Sequence, residues 1–250
     1  ERVANKQGLT RAELSVLISY SKIDLNEALL ASPVPDDVYL TRDMETAFPP
    51  SLVSKYAEAM RSHRLKREIV STQIANDLVN NMGITFVQRL KESTGMTPAS
   101  VVGAYAIVRD IFHLPHWFRQ IEALDYQVSA DVQLALMDEL MRLGRRATRW
   151  FLRSRRNELD AGRDVAHFGP HIAALGLKLD ELLEGPTRER WQARYQGYVE
   201  SGVPELLARM VAGTSHLYTL LPIIEASDVT GQNAAEVAKA FFAVGSKLDL

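Results

Sequence analysis

Residues 136–156 read LMDELMRLGRRATRWFLRSRR. At about 100° per residue, Leu136, Leu140, Leu143, Ala147, Trp150 and Phe151 fall on one side of a helix. Arg142, Arg145, Arg146, Arg149, Arg153 and Arg156 share an arc of about 100° on the other side, and only Arg155 strays from it. This 3.6-residue period predicts a long amphipathic helix from Ser129 to about Arg156, with a core face and a guanidinium face.

The same period governs most of the chain. Thr10-Arg11-Ala12-Glu13 has the capping-box pattern, and apolar residues follow at helical spacing until Ser32-Pro33. Pro49-Pro50-Ser51 predicts a helix to about Asn81, stopped by Gly83. Thr97-Pro98 starts one that ends near Phe112, and Pro115 a short one. Further helices are expected at 160–168, 170–184, 186–200, 204–226 (bent near Gly213) and 233–248. No strand alternation persists, so the expected fold is all-α: one multi-helix domain over 1–250, with a sub-boundary near 157–165.

An internal echo accompanies this pattern. Residues 94–114 align without gaps on residues 230–250, with Thr94, Gly95, Ala99, Val101, Ala104, Val108 and Leu114 matching their partners. Chance likeness of two amphipathic helices and a pair of related helical subunits both account for it. On the second account the natural protein is expected to continue past Leu250 with another apolar-faced helix.

Composition narrows the function classes. The net charge of −2 provides no general field toward nucleic acid or anionic membrane. The absence of cysteine excludes disulfides and thiolate chemistry. No apolar run reaches the ~18–20 residues that span a bilayer. The opening Glu1-Arg2-Val3-Ala4-Asn5-Lys6 is polar and lacks Met, which is the expectation for a piece of a longer protein.

Two constellations are candidate docking surfaces. The first is the arginine face, whose guanidinium forks suit carboxylate or phosphate. A solvated face, or one docked on an acidic neighbouring domain, needs no ligand; a nucleic-acid stripe would call for interleaved aromatics. The second is the row Gln73, Asn76 and Asn80, at i, i+3 and i+7, with Asp77 and Asn81 beside it. Amides are weak helix formers, so the row implies a compensating contact: a ligand, another chain segment, or an internal network holding the loop after Gly83.

Catalytic signatures are lacking. Pro115 separates His113 from His116, and Gly169-Pro170 is expected to break the i, i+4 relation of His167 and His171. There is no phosphate-cradling glycine loop and no nucleophile–base motif. No catalytic, cofactor-binding or metal residue is assigned.

Several strings resemble one family. Gly8 to Leu17 (GLTRAELSVL), Tyr20 to Leu25, Phe48-Pro49-Pro50, His63 to Ile69, Thr72 to Asn80 and Met82 to Phe86 are similar to the segment following the catalytic region of the large bacterial NAD-specific glutamate dehydrogenases. Ile121 to Asp125 with Val128, and Arg146 to Trp150, extend the likeness, which is dense over 7–155. The resemblance implies a cytoplasmic, multi-domain parent enzyme that oxidises glutamate with NAD and forms a homo-oligomer. The family's catalytic lysine, acid partner and nucleotide glycines have no counterpart here. The expected role is non-catalytic: packing on the parent's own catalytic domain, assembly or regulation, without nucleic acid or membrane. The alternatives are a stand-alone helical module that binds an acidic partner through the arginine face, and a small-ligand sensor with the amide row lining a pocket.

Overall fold

Helices α1 (Arg11–Leu30), α2 (Pro50–Arg61), α3 (Lys66–Met82), α4 (Phe86–Thr94), α5 (Pro98–Ile111), α6 (Leu114–Glu122) and α7 (Ala130–Ser154) follow one another along the chain. They are followed by α8 (Ala161–Gly176), α9 (Leu179–Leu182), α10 (Gly185–Glu200), α11 (Glu205–Ala212), α12 (Thr214–Leu217), α13 (Leu220–Thr230) and α14 (Ala234–Lys247). Two 3-10 segments, Val34–Asp36 and Leu40–Ala47, lie between α1 and α2. This computed structural model describes residues 8–155 and 158–247, among which every regular element is helical, as the all-α reading expects. The chain divides into two compact units, 1–106 and 107–250, with the division inside α5.

In the first unit the capping box forms as written. Thr10 Oγ1 accepts from the Glu13 N–H, and the Glu13 carboxylate accepts from the Thr10 N–H at 2.8 Å. Helix α1 packs on α3 and buries Leu25 and Leu29. On α3, Val70, Ile74, Leu78 and Met82 recur every four residues as a buried ridge. The Leu40–Ala47 segment also packs on α3, burying Leu40 and Met44.

The helix expected from Pro50 to Asn81 is two. At the break, Ser62 Oγ donates to the Glu58 carbonyl at 3.1 Å, and the Leu65 N–H donates to His63 Nδ1 at 3.1 Å. These local bonds replace the helical ladder. Gly83, at φ +81°, ends α3 as expected. Helix α4 is an element that the periodicity did not reveal, since its nine residues bury only Phe86 and Leu90.

In the second unit Ser129 Oγ caps α7 by accepting from the Val132 N–H. Leu136, Leu140, Leu143, Ala147 and Phe151 are buried as expected, joined by Gly144, Thr148 and Leu152, whereas Trp150 is half-buried. The rings of Trp150, Phe151 and Phe168 meet edge to face, with centroids 5.0, 5.4 and 5.7 Å apart. This contact joins α7 to α8 within the second unit.

Helix α8 runs through Pro170, where a break was expected. Pro170 forgoes one ladder bond, but Phe168, Ile172 and Leu175 lie at i, i+4 and i+7 and are all buried, which holds the helix together. The bend near Gly213 is present, and the 204–226 stretch becomes α11, α12 and the start of α13. A Cβ on Gly213 would come within 2.6 Å of Leu179 Cδ2, so a larger residue there would have to displace the end of the Leu179 side chain.

The internal echo has a structural counterpart at its turn. Gly95 and Gly231 take φ/ψ of 70°/12° and 68°/12°, closing α4 and α13 in the left-handed conformation. Thr94 and Thr230 each donate to the carbonyl four residues back, at 2.6 and 2.7 Å. The helices that follow differ in burial: Ala104, Tyr105 and Val108 are buried, whereas Ala240, Phe241 and Val244 are exposed. Leu250, the last position of the echo, lies outside the described residues.

Phe168→Ala removes the ring shared by Trp150 and Phe151. It is expected to cost about 3–5 kcal/mol, read as a lower urea midpoint of the second unit. Val229→Ala, at an exposed site, is expected to stay within about 0.5 kcal/mol.

Candidate functional site

The arginine face of α7 is not uniform. Arg142 pairs with Asp138 at 2.6 Å and Glu139 at 3.4 Å. The Arg146 guanidinium lies 5.4 Å from the Tyr218 ring centroid. Arg155 reaches Glu225 at 3.6 Å and the buried Asp164 at 3.9 Å, and lies over the Phe168 ring. Arg156 lies outside the described residues.

Arg145, Arg149 and Arg153 remain, at i, i+4 and i+8 on one line of the helix. Among the described residues no carboxylate lies within ion-pair distance of any of them. Like charges at this spacing repel by about 0.2–0.5 kcal/mol per pair. Arg149 Nε is buried without a hydrogen-bond partner. The column is therefore a concentration of uncompensated positive charge.

The amide row divides as well. Gln73 Oε1 accepts from Thr46 Oγ1 at 3.4 Å, which ties α3 to the Leu40–Ala47 segment rather than to the loop after Gly83. Asn76 is half-buried and Asn80 exposed. The tighter network lies beside the row: Asp77 accepts from Asn81 Nδ2 at 2.8 Å and from the Tyr105 hydroxyl at 3.1 Å. A cavity of about 280 Å³ in this unit is lined by Leu78 and Val79 of α3, with Ser21, Asp24, Gln88 and Lys91.

Histidine geometry departs from expectation because α8 is continuous. His167 and His171 do keep their i, i+4 relation, with ring centroids 6.0 Å apart. His167 Nε2 is 2.8 Å from Asp228 Oδ2, which fastens α8 to α13. Among the described residues no three His, Cys, Asp or Glu gather as metal ligands. His113 is the left-handed N-cap of α6 (φ +51°), and with His116 and Trp117 it lines an apolar cavity of about 360 Å³ in the second unit. This cavity, completed by Ile172, Leu177, Leu206 and Met210, had no signal in the sequence, because its walls come from seven helices, α5 to α9, α11 and α12.

Comparison with known proteins places the chain. The family model described as glutamate dehydrogenase, C-terminal, matches residues 6–250. The chain belongs to this family. It is 84% identical over 250 residues to the NAD-specific glutamate dehydrogenase of Pseudomonas aeruginosa. It is 47% identical over 250 residues to the protein of the same name from Halomonas elongata, and 36% identical over 242 residues to that from Mycobacterium tuberculosis. These matches cover 100%, 100% and 96% of the chain, but the chain spans only 15% of the length of each relative.

Within this glutamate dehydrogenase C-terminal region, Glu139 is the charged hub of the second unit. It accepts from Arg194 at 3.1 Å, from Thr214 Oγ1 at 3.0 Å and from Arg142, so it links α7, α10 and α12. Burial works against the Arg194 charge, but Tyr198 and Glu139 outweigh it and raise the guanidinium above its usual value. Nearby His216 is pushed down to about 4 by burial and by the charges of Arg194, Arg190 and Arg146.

His216 is therefore neutral in the folded protein at pH 5–7, whereas the unfolded chain takes up a proton near pH 6.5. The folded state is favoured fully above pH 6.5, and this contribution is lost as pH falls from 6.5 toward 4. The expected result is a urea midpoint that drops on acidification from pH 7 to 4.5, with a shallower drop in His216→Gln.

Proposed function

We propose that this chain is the helical C-terminal region of a NAD-specific glutamate dehydrogenase and that it acts in inter-domain packing, assembly or regulation, not in chemistry. The parent reaction on this reading converts L-glutamate, NAD⁺ and water to 2-oxoglutarate, ammonium, NADH and a proton. NAD and glutamate belong to the parent's catalytic domain, and no residue of this segment is given a catalytic, cofactor or metal role. The parent is read as a cytoplasmic homo-oligomer. No described helix is long and apolar enough to cross a membrane.

The observation that carries the docking role is the column Arg145, Arg149 and Arg153. Three self-repelling guanidiniums without a carboxylate partner destabilise the isolated helix. An acidic surface on the parent's own catalytic domain would relieve that repulsion and gain charge-assisted hydrogen bonds. The column equally suits a separate acidic partner of a stand-alone helical module. Salt-sensitive binding of the segment to an anionic polymer, with no effect on the enzyme, would favour that second reading.

Two measurements test the proposal. In the full-length enzyme, Arg145→Glu combined with Arg149→Glu is expected to weaken assembly or lower turnover at least about tenfold, as loss of about 1.4 kcal/mol would; unchanged oligomer size and turnover would count against the docking role. In the parent truncated before Glu1, glutamate-dependent NAD reduction is expected to be impaired and to recover when this segment is supplied in trans. Full activity of the truncated parent would move the role to regulation.

A further inference from the structure

Helix α1 carries two apolar faces, and the first unit covers one of them. Leu25 and Leu29 are buried, while Val16, Tyr20 and Ile23, at i, i+4 and i+7, are 53%, 67% and 52% exposed. Leu9, before the helix, and Leu17 beside the row are 41% and 43% exposed. These side chains form one contiguous apolar stripe rather than the scattered single exposures that need no explanation.

We infer that the outer face of α1, centred on Tyr20, seats in an apolar groove with a basic rim on the catalytic domain of its own longer polypeptide. This rests on the proposal that the chain is part of a glutamate dehydrogenase. Three observations select that occupant. The matched relatives carry about 85% of their length outside the matched stretch, so a large partner surface is present in the same polypeptide. The stripe from Leu9 to Ile23 is about 20 Å long and covers roughly 200 Å². That is far below the ~800 Å² per partner of a stable free association, so a second copy of this segment would not be held by it. A tethered domain needs much less, because its effective concentration is in the millimolar range.

The third observation is charge. Asp24 lies one turn beyond Tyr20 and Glu27 one turn beyond Ile23, and both are exposed. They give the C-terminal half of the stripe an acidic edge, to be met by cations on the groove's rim. This surface is separate from the arginine column, which is on α7 in the other unit.

The test uses the full-length enzyme with a photo-crosslinking benzophenone side chain in place of Tyr20, and separately in place of Arg149. Crosslinked peptides are identified by mass spectrometry. The expected result is that the Tyr20 probe joins catalytic-domain peptides, and that Val16→Glu with Ile23→Glu lowers this yield at least about tenfold. Tyr20 crosslinks only to a second copy of this segment, or none at all, would overturn the inference. If the Arg149 probe alone reaches the catalytic domain, the docking role stands and the assignment to α1 fails. If neither probe reaches it, both fail.

Discussion

Helix α7 is amphipathic along its 25 residues, and its apolar stripe has to be covered over its whole length. That single requirement organises the second unit. Helices α6, α11 and α12 pack on α7, and Trp150, Phe151 and Phe168 close the contact with α8 at its far end. The hydrophobic effect is non-directional, so edge-to-face ring geometry and close approaches such as Gly213 on Leu179 determine which helix sits where.

Covering one face leaves the other crowded with positive charge. The fold compensates it unevenly. Glu139 gathers Arg142 and Arg194 and ties three helices, while Asp164 and Glu225 take Arg155. Carboxylates are placed where helices meet, and there they act as struts between elements. Among the described residues no acid lies within ion-pair distance of Arg145, Arg149 or Arg153, so their charge is uncompensated. Internal pairing thus takes up one part of this arginine-rich face, and the docking role is proposed for the other part.

The outer side of α1 shows the same logic with apolar groups. The helix pattern there is ambiguous because apolar residues occur on both faces, and only packing against α3 distinguishes the covered side from the open one. On the proposed reading, in which the chain is a minor part of a long polypeptide like its relatives, tethering lets two such small patches suffice.

Much of the fold was legible in the sequence because local rules state it directly. The Thr10–Glu13 box, the Ser129 cap, the Gly83 stop and the period of α7 each rest on interactions within a few residues. The family resemblance in the strings of residues 7–155 was legible too. The amide row was read less well: Gln73 found the Leu40–Ala47 segment, and the stronger bonds went to Asp77, whose partner Tyr105 is 28 residues away. What tertiary structure alone decided follows from contacts that no local pattern encodes. Side-chain bonds at Ser62 and His63 split a predicted helix, and three buried residues on one line carried α8 across Pro170. Trp150, Phe151 and Phe168 joined α7 to α8. Which arginines are paired, and which face of α1 is open, depends on what packs beside them, so the sequence determined the helices while long-range packing decided their surfaces.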